Sequence, residues 1–104
     1  MDLSKYKFLV CGYGLPAEIG ITTLFGHGCN PENVKLLTHK NDQRNSGLIS
    51  MANLRNIDYL ESPPDKTKAL NFVKKFSPDI LVSLHYRQKI PKTVDSPLEF
   101  YSDL

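Results

Sequence analysis

Charge of one sign is what this sequence most plainly lacks. Lys and Arg number 13 against 11 Asp and Glu, a formal net charge of +2 over 104 residues. A field that weak, from charges that scattered, argues against nucleic acid or an anionic membrane as partner. Long apolar runs are missing too, since none approaches the ~20 residues that a membrane-spanning helix needs. The opening Met1-Asp2-Leu3-Ser4-Lys5 has no signal-peptide layout. Charge interrupts it and no small-residue cleavage site follows, so a cytoplasmic location is expected. Cysteine is scarce: Cys11 lies in an apolar run and Cys29 in a Gly-rich loop, which makes no disulfide framework and predicts two free thiols. His27-x-Cys29 offers two ligands where zinc takes about four, and the remaining histidines, His39 and His85, come with no second cysteine pair. No metal site is expected. Internal repeats and low-complexity tracts are absent.

What is present is ordinary for a globular chain, with 40% hydrophobic and 23% charged residues. The length supports one domain at most, and a modest core. Strand-like and helix-like patterns alternate along it. Tyr6 to Cys11 is a short apolar run ending at the turn Gly12-Tyr13-Gly14, as suits a strand buried on both faces. Leu15-Pro16 opens a helix in which Ala17, Ile21, Leu24 and Phe25 form one apolar stripe, and Gly26-His27-Gly28 ends it. Val34 to Thr38 reads as a second strand, and Lys40 to Gly47 as a polar loop. Leu48, Met51, Ala52 and Arg55 mark a second, weaker helix, and Ile57 to Leu60 a third strand. Asp65 is placed to cap a third helix with Ala69, Leu70, Val73 and Phe76 on its buried face, and Ser77-Pro78 ends it. Asp79 to Leu84 is the clearest strand, the fourth.

This alternation predicts βαβ units, hence a three-layer, Rossmann-like α/β fold with a parallel sheet. Right-handed crossovers give the strand order 3-2-1-4. A ligand crevice then lies at the strands' carboxyl ends, where the order reverses between strands 1 and 4. Two loops border it, Gly12 to Pro16 and His85 to Pro91. Gly12-Tyr13-Gly14-Leu15-Pro16-Ala17 matches the pattern G-x-G-x-x-G/A in the strand-to-helix context of a dinucleotide site, where pyrophosphate rests on free helix N–H groups. The fingerprint is incomplete. Pro16 removes one donor, and strand 2 ends Leu37-Thr38-His39-Lys40 without the carboxylate that binds ribose hydroxyls. The glycines read more simply as a sharp turn between strand and helix.

The segment Pro78-Asp79-Ile80-Leu81-Val82-Ser83-Leu84-His85-Tyr86-Arg87-Gln88-Lys89-Ile90-Pro91-Lys92-Thr93-Val94 resembles the hydroxymethyl- and formyltransferase family. In that family a strand beginning Pro-Asp runs into a Tyr-containing loop, then an Ile/Leu-Pro-Lys turn. Tyr86, Gln88, Ile90, Pro91, Lys92 and Val94 fall on positions seen in methionyl-tRNA formyltransferases, whereas Ser83-x-His85-Tyr86-Arg87 looks more like the nucleotide-sugar N-formyltransferases. The early Gly-x-Gly turn, the Leu-Leu-Thr-His of strand 2 and the Ile-x-Tyr-Leu of strand 3 also fit that branch. The likeness covers roughly residues 5 to 94. It implies transfer of a formyl group from 10-formyl-tetrahydrofolate to an amine, such as an amino sugar carried on a nucleotide. The folate-side loop maps to His85, Tyr86, Arg87, Gln88 and Ile90, and the acceptor side to Gly14 and Leu15. Four of them also have a plain structural reading: Tyr86 and Ile90 packed on the sheet end, Arg87 solvated, His85 a capping or satisfied loop histidine.

The family's catalytic set, an Asn and a His in an Asn-x-His-x-Ser-x-Leu-Pro context plus a later Asp, has no counterpart in this chain. Such chemistry needs a base to take the amine's proton and donors beside the oxyanion. The sequence therefore reads as an incomplete formyltransferase fold: residues 1–94 a partial N-terminal domain, 95–104 a divergent tail, inactive alone and expected to be truncated. In such a piece strand 4 becomes an apolar edge that invites self-association, unless Leu98 to Tyr101 folds back over it. Two other readings stand beside this one, a small α/β folate- or nucleotide-binding module without catalysis and an NAD-binding fragment.

Overall fold

The structure, a computed structural model, describes residues 3–39, 43–63 and 66–84, together with the backbone of 98–102. Each apolar run of the sequence becomes a strand: β1 is Phe8–Gly12, β2 Val34–Thr38, β3 Tyr59–Glu61 and β4 Ile80–Leu84. The stretches of 3.6-residue periodicity become the helices α1 (Gly14–Gly26), α2 (Ser46–Leu54) and α3 (Thr67–Phe76). Short 3₁₀ turns at Leu3–Lys5 and Pro31–Asn33 precede β1 and β2. A further strand, β5 (Leu98–Ser102), lies in the segment that reads as a divergent tail.

The sheet has the expected order β3-β2-β1-β4, and β5 continues it beyond β4. Every pairing is parallel. Phe8 faces Val34 on one side and Ile80 on the other, so β1 is central. Strand β4 is not an edge, because Ile80 to Leu84 pair in register with Leu98 to Ser102. Of the two outcomes the sequence left open for this strand, the structure takes the covered one.

Alternation along the strands sends apolar side chains to both faces. Phe8, Val10, Val34, Leu36, Ile80 and Leu84 meet Ala17, Ile21, Leu48 and Ala52 of α1 and α2 on one face. On the other, Leu9, Cys11, Leu37 and Leu81 meet Ala69 and Val73 of α3. These are the two helical layers that flank the sheet. The expected stripe of α1 lies as the periodicity predicts, with Ala17 and Ile21 buried and Leu24 and Phe25 packed at the core margin. In α2 the buried residues are Leu48, Ile49 and Ala52. Arg55 lies just past that helix, its guanidinium over the Phe25 ring at 5.0 Å. Asp65 lies outside the described residues, and Lys66 occupies the N-cap of α3. Ser77 ends α3 in a left-handed conformation, its N–H donating to Val73 O at 2.8 Å.

At the amino edge of the sheet, strands β1 and β4 are tied together before they begin. Lys7 N–H donates to Asp79 Oδ2 at 2.9 Å, and Asp79 N–H donates to Lys7 O at 2.9 Å. Lys35 pairs with Asp58 at 2.9 Å and spreads its charge over the rings of Phe72 and Phe76. These contacts tie the amino edge together, and in folds of this class ligands bind at the opposite, carboxyl edge.

Candidate functional site at the carboxyl edge

The carboxyl ends of β1 and β4 are locked side by side. Gly12 pairs with Leu84, and Tyr13 N–H donates to Leu84 O at 3.3 Å. Only a residue without a side chain fits at Gly12, since a Cβ there would lie 2.6 Å from Ala17 Cβ and 3.0 Å from Leu84 O. The chain then turns into α1 through Gly14, whose φ of +67° is strained for any residue with a side chain. Gly14 is buried, whereas Leu15 is 62% exposed at the first turn of α1. The two predicted acceptor-side residues therefore sit together at the point where strand order reverses, one as backbone and one as an open apolar side chain. The predicted folate-side residues His85, Tyr86, Arg87, Gln88 and Ile90 lie outside the described residues. Leu84, which precedes them in sequence, ends β4 beside Gly12 at this same edge.

One residue at this edge carries no signal in the sequence. Asn45, inside the polar stretch before α2, is completely buried. Its Oδ1 accepts from Gly14 N–H at 2.8 Å, and its Nδ2 donates to Thr38 Oγ1 at 3.0 Å and to His39 O at 3.4 Å. Thr38 is completely buried as well. Across the same two strand ends the Tyr13 and His39 rings meet with centroids 5.2 Å apart and planes tilted by 49°. Among the described residues no buried side-chain nitrogen or oxygen is left without a partner.

This arrangement bears on phosphate binding. Of the first three positions of α1, Gly14 already gives its N–H to Asn45, and Pro16 has none to give. That leaves Leu15 alone where a pyrophosphate cradle needs several converging donors. The glycine turn thus does the work of close packing and of joining strand to helix. Among the described residues no three His, Cys, Asp or Glu side chains cluster as a metal site would require. Both cysteines are buried free thiols. Burial pushes the Cys11 thiol up to about 12 and raises that of Cys29, so neither is set up as a nucleophile. Among the described residues no helix is long and apolar enough to cross a membrane.

The ends of β1 and β4 meet where the order of this parallel α/β sheet reverses, the place where folds of this class bind ligands, and comparison with known sequences narrows the class. The chain is 44% identical over 85 residues to the GDP-perosamine N-formyltransferases of Brucella melitensis biotype 1 and of Brucella abortus, a match covering 82% of this chain and 33% of each relative. It is formyltransferase-like over most of its length, and it spans about a third of the curated relatives it matches. No protein-family profile matches it.

Proposed function

We propose that this chain provides the scaffold, the folate-side loop and part of the acceptor wall of an N-formyltransferase that acts on an amino sugar carried by a nucleotide. The observation that carries the reading is the 44% identity to GDP-perosamine N-formyltransferases over 82% of the chain, in a stretch whose sheet reverses order beside Gly14 and Leu15. In the reaction, the acceptor amine attacks the formyl carbon of 10-formyl-tetrahydrofolate. A bond forms between the sugar's amine nitrogen and the formyl carbon, the bond from folate N10 to that carbon breaks, and the proton lost by the amine balances the one gained by N10. His85, Tyr86, Arg87, Gln88 and Ile90 form the folate side, and Gly14 and Leu15 the acceptor side.

The base and the oxyanion donors this chemistry demands are not among these residues, and no Asn-x-His sequence occurs in the chain. The 104-residue chain by itself therefore binds without turning over. Its two buried thiols suit a reducing compartment, and we place it in the cytoplasm. Thermal unfolding with 5-formyltetrahydrofolate, GDP and NAD as separate probes tests the reading. Folate and GDP are expected to raise the midpoint and NAD to leave it unchanged; a ligand at a hundred times its Kd adds about 2.7 kcal/mol. A shift with NAD alone would overturn the proposal. Formylated product from the pure chain, detected by mass spectrometry with donor and an amino-sugar nucleotide, would overturn the claim that it does not turn over.

A further inference from the structure

We infer that Asn45 is the positioning residue of the acceptor side. Its buried carboxamide closes the β1–β2 half of the carboxyl edge and fixes the Tyr13–Gly14 peptide, from which the chain continues to Leu15. This inference rests on the acceptor-side assignment proposed above and adds the residue that shapes it.

A carboxamide has one accepting and one donating end, and away from water both must be satisfied. Here the accepting end takes Gly14 N–H, and the donating end reaches Thr38 Oγ1 and His39 O. These partners sit at the ends of two neighbouring strands, so one side chain bonds the exit of β1 to the exit of β2. In folds of this class the gap between those exits is where a ribose or an anion can settle. In this chain it is filled by a bonded plug, with the Tyr13 and His39 rings in contact across the same two exits. A ligand is left the other side of the switch point, where Gly12 pairs with Leu84 and Leu15, two residues past the end of that pairing at Tyr13, stands exposed. Gly14 reinforces the point, because its left-handed backbone is held by a bond to its N–H rather than by any side chain of its own.

The chemistry also explains why an amide is needed. A carboxylate at this position would still accept from Gly14 N–H. It would have nothing to donate to His39 O, and its charge would be buried. Alanine removes both ends and leaves Gly14 N–H unpaired inside the fold.

The test uses the full chain with Asn45→Asp, Asn45→Ala, Thr38→Val and, as a control for stability alone, Val73→Ala in the α3 layer on the opposite face. Two quantities are read: GDP affinity by calorimetry, and exchange of the Gly14 amide relative to the sheet amides of Val10 and Leu36 by NMR. The inference expects both Asn45 variants to speed Gly14 exchange at least tenfold relative to those sheet amides and to weaken GDP at least tenfold. Thr38→Val is expected to produce the same changes to a smaller degree, and Val73→Ala to lower stability without touching GDP affinity. If Gly14 exchange rises only in step with the sheet, or if Val73→Ala weakens GDP as much as Asn45→Ala does, Asn45 merely stabilises the fold and the inference is overturned. Should Asn45→Ala fail to fold, Asn45→Asp and Thr38→Val decide by the same two readings. Absence of GDP binding by the unsubstituted chain would count against the acceptor assignment. The Gly14 exchange ratio would then decide the role of Asn45 separately.

Discussion

Cys11 sits on β1 with no solvent exposure, and the cost of bringing a thiolate into that interior holds its pKa near 12. The folded state therefore keeps a proton that the unfolded chain releases from about pH 9 upward. The unfolded chain binds fewer protons above that point, so stability falls as pH rises, by about 1.4 kcal/mol per pH unit from this one group between its unfolded value and about 12. Denaturant titrations from pH 8 to pH 11 are expected to show this decline, and Cys11→Ala to flatten it. Two glycines act through geometry instead. Gly12→Ala drives a methyl group against Ala17 and the carbonyl of Leu84, and is expected to cost about 1–3 kcal/mol. Gly14→Ala keeps the bond to Asn45 but forces a left-handed alanine, at roughly 1–2 kcal/mol. Equilibrium urea unfolding measures both, and the Gly12 variant is expected to lose more.

The elements show how far pattern alone reaches. β2 runs from Val34 to Thr38, the span its apolar run marks, and α1 buries Ala17 and Ile21 from its predicted stripe. Both are local consequences of side-chain period, two for a strand and 3.6 for a helix. The pattern is thinner in α2. There the buried set includes Ile49, which the expected stripe omitted, and Arg55 falls beyond the helix with its charge over Phe25. The small α3 layer depends on few residues, so each matters. Leu81 is fully buried between β1 and that layer, and Leu81→Ala is expected to cost roughly 2–5 kcal/mol. At this chain length that lowers the thermal midpoint by about 8 °C or more, which calorimetry would resolve.

At the scale of the whole molecule the sheet order follows from the alternation of strands and helices, but its width does not. The Leu98–Ser102 segment pairs with β4 and turns an apolar edge into an interior strand. Removing residues 98–104 is expected to expose Ile80 to Leu84 and to produce dimers or larger species in light scattering at concentrations where the intact chain shows fewer. Equal association by both chains would mean that the edge of β4 is not what governs it. The same scale decides the site. The β1 turn lies 31 positions of sequence from Asn45, and it joins the end of β2 and the loop before α2 in one feature only where the sheet brings them together.

By itself the sequence determined the class of fold, the order of four strands, the switch point between β1 and β4 and the likeness to formyltransferases. Each of these follows from local periodicity, turn residues or one contiguous motif. Only the tertiary structure decided that Asn45, one of several polar residues in an unpatterned stretch, is buried and bonded to Gly14 across 31 positions of sequence. It also decided that the first donor of α1 is already occupied, and that a fifth strand covers the fourth. The physical reason is common to all three. A hydrogen bond between distant segments depends on where the packed sheet places them, and a polar residue's partners leave no period in the chain from which they could be read.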